Sequence, residues 1–220
     1  MPFSPGSPPG PPGPPGPPTI IQDEGVPLAG APHSTINFVG AGVAATDGGG
    51  GVAVVTVPAS SGITIVGPIA ATGLQNVDFP ALPAGIKRIK LMLDDISVDS
   101  AANLRAEIGD AGGFPGAGYT SVACLHTGPG SNTFATTGSG FLLTGLSAAV
   151  VLYNGTVTLD LSATADTWLQ SGVIGAPGSP SINQSSGKKT LTGVLTQVRL
   201  TQEGGGSLFD SGSVSLSYES

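Results

Sequence analysis

The sequence predicts an all-β protein: an antiparallel β-sandwich head of jelly-roll type, preceded by a small β connector and a polyproline, collagen-like stalk. Three observations carry this expectation. Ten of the 20 prolines fall in the first eighteen residues, so the Pro excess is local. The 36 glycines are spread along the whole chain, with abundant Ser, Thr and Val, a composition that suits turns and strands. After residue 62 the apolar residues alternate with period two, and no segment holds a convincing helical period; residues 100–107 are the best helical stretch and are short.

The first element is the stalk, residues 1–18. Residues 8–18 read PPGPPGPPGPP, with Gly10, Gly13 and Gly16 on a strict period of three. Only Gly fits at the crowded axis of three wound polyproline-II chains, so this spacing points to a triple helix and to trimerisation. The alternative is a stiff single-chain spacer. The eleven residues span roughly 34 Å at about 3.1 Å each, too few triplets to hold three chains together alone. A neighbouring domain must therefore supply most of the association.

The connector, residues 19–61, offers two β-favouring runs, 36–39 and 52–57, around the loop DGGGG at 47–51. They predict a hairpin with a long tip. So few strands bury no core of their own, and the module is expected to lean on the head, on sister chains or on a larger assembly.

The head, residues 62–220, is expected to hold eight to ten strands. Ile89, Leu91 and Leu93 alternate with Arg88, Lys90 and Met92. Val157, Leu159 and Leu161 alternate with Thr156, Thr158 and Asp160. Val194, Val198 and Leu200 lie in phase, as do Val214, Leu216 and Tyr218. Further strands are expected at 63–66, 104–108, 119–126, 141–146 and 168–174. Asn154-Gly155 reads as a two-residue hairpin turn. The Gly-rich stretch 109–118 and the polar stretches 128–140 and 175–188 read as loops long enough to bind something.

Charge narrows the partners. The net charge is −7, and all seven basic residues lie after residue 86. That is too few cations to track a phosphate backbone, so nucleic acid is not expected as a partner. No apolar run reaches the roughly 18 residues of a membrane span. The Pro-rich N-terminus does not read as a basic-then-apolar secretory signal, so the chain is expected to be made in a host cytoplasm. The single cysteine, Cys124, cannot build an intrachain disulfide framework.

Chemistry-bearing motifs are absent: no phosphate-binding loop, no G-x-S-x-G, no H-E-x-x-H. The chain is accordingly expected not to be an enzyme, and no cofactor is expected. Cys124 and His126, two apart on a strand, share a face and could both touch a metal, but with no second Cys or His nearby a buried thiol beside a rim imidazole is the better account of them. Asp94, Asp95 and Asp99 form the densest acidic cluster without the spacing of a calcium loop, and read as a solvated strand end. The two sequons, at Asn154 and Asn183, read as coincidental. Among the loop residues, Tyr119, Asn132 and Asn183 are the expected contacts to a receptor, Tyr119 as a stacking ring and the asparagines as hydrogen-bonding groups.

Several stretches resemble structural and tail-fibre proteins of tailed bacteriophages. The segments IQDEGVPLAG, INFVGAGVAAT and GVAVVTV are similar to a connector that recurs ahead of fibre or tail-tip domains. FPALPAGIKRIKLMLDDIS and FDSGSVSLSYE are similar to the first and last strands of phage β-sandwich modules, and short G-P-P repeats are common as trimeric stalks in phage fibres. The resemblance implies a virion appendage, a homotrimeric fibre or spike. It would be attached to other virion proteins through its N-terminal region and would contact host surface carbohydrate with its head. It implies no catalytic residues. A capsid-decorating or head-fibre protein that stabilises the particle is the second expectation. A collagen-like bacterial surface protein and a polysaccharide depolymerase come behind it.

Overall fold

The computed structural model describes residues 62–128 and 130–220 in full, and before them the backbone of four short strands. Those strands are β1 (Gln22–Asp23), β2 (Val26–Pro27), β3 (Ala44–Asp47) and β4 (Ala53–Thr56). The chain divides into two compact units, Met1–Ala59 and Ser60–Ser220. In the first, β1 pairs antiparallel with β2, and β3 with β4 in the register Ala44↔Thr56 to Asp47↔Ala53. The connector hairpin therefore pairs 44–47, not 36–39, with 53–56. The run 36–39 and the stalk glycines Gly10, Gly13 and Gly16 lie outside the described residues.

The second unit contains twelve strands and, among the described residues, no helix. They are β5 (Thr64–Ala70), β6 (Val77–Phe79), β7 (Arg88–Val98), β8 (Leu104–Gly109), β9 (Tyr119–His126), β10 (Asn132–Thr137), β11 (Phe141–Leu142), β12 (Tyr153–Leu161), β13 (Thr167–Ala176), β14 (Ser181–Thr190), β15 (Gln197–Gln202) and β16 (Phe209–Glu219). An eight-stranded antiparallel sheet has the order β10-β9-β14-β13-β12-β7-β16-β5, and a four-stranded one the order β11-β8-β15-β6. One core cluster joins them: Ile89, Leu91, Val157, Leu159, Val214 and Leu216 from the large sheet meet Phe79, Ile108, Val198 and Leu200 from the small one. Alternation is the cause, because each strand sends every second side chain to this shared face.

Two expectations of local structure are corrected. Asn154-Gly155 is not a turn but a bulge inside β12, where the register against β7 shifts between Tyr153 and Gly155. Gly155 has φ 148°, and a Cβ there would collide with the Val173 carbonyl oxygen across the strand pair. The Asn154 side chain reaches across to β7: its Oδ1 accepts from the Asp95 N–H at 2.9 Å and its Nδ2 donates to Asp95 Oδ1 at 2.8 Å. Asp95 is thereby held at φ 51°. The second correction concerns residues 181–190, which read as part of a polar loop yet form the ten-residue strand β14. Its inward positions are Asn183, Ser185, Gly187 and Lys189, so no apolar alternation marks it.

The large sheet has two distinct ends. The chain runs in at Gly62 beside Tyr218↔Thr64, and the C-terminal strand finishes there at Glu219↔Arg88. This is the near end. The far end collects the β9–β10 turn, the β13–β14 turn and the segments on either side of β7, β12 and β16 that follow Val98, lead to Tyr153 and lead to Phe209.

Candidate functional site

The loop residues named from sequence do not gather into one site. Tyr119 lies at the near end and is buried. Strand β8 has only the two-residue β11 on one side, so the backbone of Ile108 is left without a strand partner there. The Tyr119 hydroxyl supplies one, accepting from the Ile108 N–H and donating to the Ile108 carbonyl, each at 3.0 Å. Its ring meets Phe141 edge-on at 5.0 Å, and the Lys189 ammonium sits 4.9 Å from its centroid. Burial pushes the phenol up from its usual range. The ring is thus a packed part of the sandwich, and the expectation that it stacks on a receptor is corrected.

Asn183 is corrected in the same way. It has no exposed surface, and its Oδ1 accepts from the Gly145 N–H at 2.9 Å. It belongs to a set of inward polar groups that fasten the long 139–150 connection to the sheets. Ser121 Oγ accepts from the Leu142 N–H at 2.7 Å and Thr144 Oγ1 from the Leu104 N–H at 2.9 Å. A buried backbone N–H without an acceptor costs more than a hydrogen bond returns, which is why a sandwich with an irregular wall carries polar residues inside.

The Gly-rich stretch 109–118 is likewise engaged with the fold. Lys189 Nζ donates to the Ala117 carbonyl at 2.6 Å, and Phe114 lies 4.3 Å from the Arg199 guanidinium carbon. Arg199 is paired with Asp78 through two bonds of 2.6 and 2.9 Å, which raises its already high pKa, and Arg105 meets Glu107 at 2.8 Å. The acidic cluster is also dispersed: Asp95 is bound to Asn154, and Asp99 Oδ1 accepts from the Leu208 N–H at 3.1 Å. Among the described residues no group of three or more His, Cys, Asp or Glu side chains comes together as metal ligands would.

Asn132 is the one named residue in an accessible place. It is exposed where β10 begins, and its Oδ1 lies 2.8 Å from His126 Nδ1 across the register pair Asn132↔His126. A carboxamide oxygen only accepts, so His126 Nδ1 donates in this contact. Its Nε2 is buried and has no hydrogen-bond partner among the described residues. His126 also opposes Ile182 on β14, and the two line a groove of about 580 Å³ with Gly128, Ala176, Pro177 and Pro180. The 128–140 and 175–188 stretches thus meet here, because β9 and β14 are neighbours and both turn back at the far end.

No protein-family profile, curated protein or solved structure matches this chain. The far end is therefore described by its own chemistry. Leu74, Leu146, Val150, Leu152, Ile182 and Leu208 are exposed there, six of the fourteen exposed large hydrophobic residues among those described. Val150 adopts φ 57°, a region disfavoured for a β-branched residue, and its N–H is bound to the Val98 carbonyl at 3.1 Å. The charged side chains of this end, Asp94, Asp95, Asp99, Glu203 and Asp210, are all acidic. The near end carries Lys87, Arg88, Lys90, Lys188 and Lys189 together with Asp160, Asp166 and Glu219. There Arg88 is bound to Asp160 at 2.7 Å and to Glu219 at 3.4 Å, both of which raise its pKa. The sequence points to Asn132 and to the 175–188 stretch, but that Pro177, Pro180 and Ile182 line a groove with His126 shows only once β13 and β14 are known to be a hairpin beside β9.

Proposed function

We propose that the chain is a subunit of a virion appendage, a homotrimeric fibre or spike attached to other virion proteins through residues 1–61. In this reading it meets the host surface with the far end of its head. The observation that carries the reading is that the chain enters the head at one end of the large sheet, leaving the opposite end to turns, exposed aliphatic side chains and the groove lined by His126, with the exposed Asn132 beside it. A projecting module needs such a free end, and loops on a rigid scaffold are where recognition is built. The Gly10-Gly13-Gly16 period supports three chains, and three weak sites on one stalk would add avidity. An uncharged host carbohydrate suits the groove: Ile182 and the two prolines offer apolar surface to a sugar ring, and the exposed Asn132 carboxamide beside His126 offers hydrogen bonds to a hydroxyl. The nested pairing of β7 with β16, β8 with β15, β9 with β14 and β12 with β13 supports a head of jelly-roll type, with β12 and β13 kept in the large sheet.

Labelled full-length protein applied to host cells tests this reading. It should adhere, compete with virions for adsorption, and lose most of both on His126→Ala or Asn132→Ala while its melting curve stays in place. If the wild-type protein neither adheres nor competes, and labelling of intact particles finds it on the capsid, the particle-stabilising reading replaces this one.

A further inference from the structure

We infer that three heads meet through the start of β5, around Ile63 and Ile65, so that this edge of the large sheet is the head's own contribution to the trimer; the inference rests on the homotrimer reading above. Ile63 and Ile65 are 65% and 67% exposed. They lie two residues apart, on the outward side of an edge strand, where Ile65 opposes Ser217. The inward residues of the same strand, Val66 and Ile69, already pack against the core, so the outward pair has no role inside the head.

What covers them is set by where the chain comes from. The chain enters the head at Gly62, so any assembly held by the residues before it brings three copies of β5 together ahead of any other part. A second copy of this chain is therefore the occupant. The surroundings have the layout of an interface, with an apolar centre and a polar rim. Ile63 borders a groove of about 450 Å³ whose other walls include Arg88, Lys90, Asp160 and Glu219. Charges of both signs allow the rim of one copy to complement that of the next. Further along the same strand Pro68 has no N–H to donate, so β5 does not offer a full ladder to another sheet. Contact through side chains at the strand's start, and not through sheet extension, closes on three copies without growing into a fibre.

The test compares full-length wild type with I63S/I65S, with I65E, and with F134S on the opposite edge strand β10. Mass is read by light scattering or sedimentation across micromolar concentrations, and folding by the melting transition. Wild type is expected at the mass of three chains. I63S/I65S and I65E should associate at least about tenfold more weakly while melting as wild type does, and F134S should associate normally. If wild type is a monomer, the trimer reading fails and takes this inference with it. If wild type is a trimer and both isoleucine variants keep its affinity, or F134S weakens it equally, this inference alone is overturned.

Discussion

At the near end of the large sheet, some side chains from neighbouring strands hold one another; at the far end, the polar side chains described above bind backbone N–H groups. The near end has Arg88 on Asp160 and Glu219, and Thr167 Oγ1 2.8 Å from Thr190 Oγ1. The far end has Asp95 bound by Asn154, Leu208 by Asp99 and Gly145 by Asn183, each through a backbone N–H. The difference shows how irregular connections are kept in one shape without spending apolar residues on them. Polar groups supply the acceptors that a missing strand would have supplied, and the aliphatic side chains of those loops stay at the surface.

The largest effect is expected where that far-end scheme depends on one backbone position. Gly155→Ala should cost roughly 3 kcal/mol or more, since it forces a side chain into a conformation reserved for glycine and against the Val173 carbonyl. Chemical denaturation measures it, and hydrogen exchange should show the segment before Tyr153 loosening more than the near end. A variant as stable as wild type would mean that the bulge does not order the far end.

Asn183→Ala and Tyr119→Phe come next, at about 1–3 kcal/mol each, because both leave buried backbone groups without a partner. The tyrosine has a second signature. Its folded pKa is raised by burial, so the folded state keeps the proton after the unfolded phenol, near its ordinary value of about 10, has lost it. Its contribution is therefore fully present below that value and is lost as the pH rises beyond it. Tyr119→Phe should flatten the alkaline fall of the stability curve. An unchanged alkaline limb would show that another group produces it.

Arg88→Ala is expected to have the smallest effect of the set. The guanidinium is exposed, so the surrounding salt already screens its two ion pairs. A clear loss of stability that persists in high salt would show that the near end relies on this pair more than its exposure suggests.

The strands that bury alternating apolar residues are legible in the sequence by itself. Ile89, Leu91 and Leu93, then Val157 and Leu159, then Val214 and Leu216 all face the core. Legibility ends wherever a strand's inward face is polar. β14 shows no alternation because its inward side chains bind the 139–150 connection and the 109–118 loop instead of packing in oil. β10 has the composition of a loop because, as an edge strand, it is mostly exposed. Val194 falls in phase with Val198, yet it is exposed and Leu195 is the buried neighbour, since the strand begins only at Gln197. Residues 100–107 are the nearest thing to a helical stretch but are short, and the strand expected at 104–108 is the one that forms, as β8 from Leu104. The site is less legible than the fold. Tyr119 and Asn183 have the residue types that binding loops favour, and the same hydrogen-bonding capacity serves buried backbone equally well. Only partners distant in sequence decide between the two uses.

The pairing of β7 with β16 has a consequence in time. Arg88 faces Glu219, so a central strand of the large sheet waits for a strand made far later in the chain. During synthesis β7 emerges with both flanks open; β12 closes one, and neither β5 nor the Leu91–Leu93 face can be completed until β16 leaves the ribosome. Such long loops must close before their contacts return anything, which makes this a slow-folding head whose half-made form displays unpaired strands. A nascent subunit of this design stays exposed to aggregation until β16 has been made, and an assembly that brings several copies together early must keep those open flanks apart until each β16 has arrived.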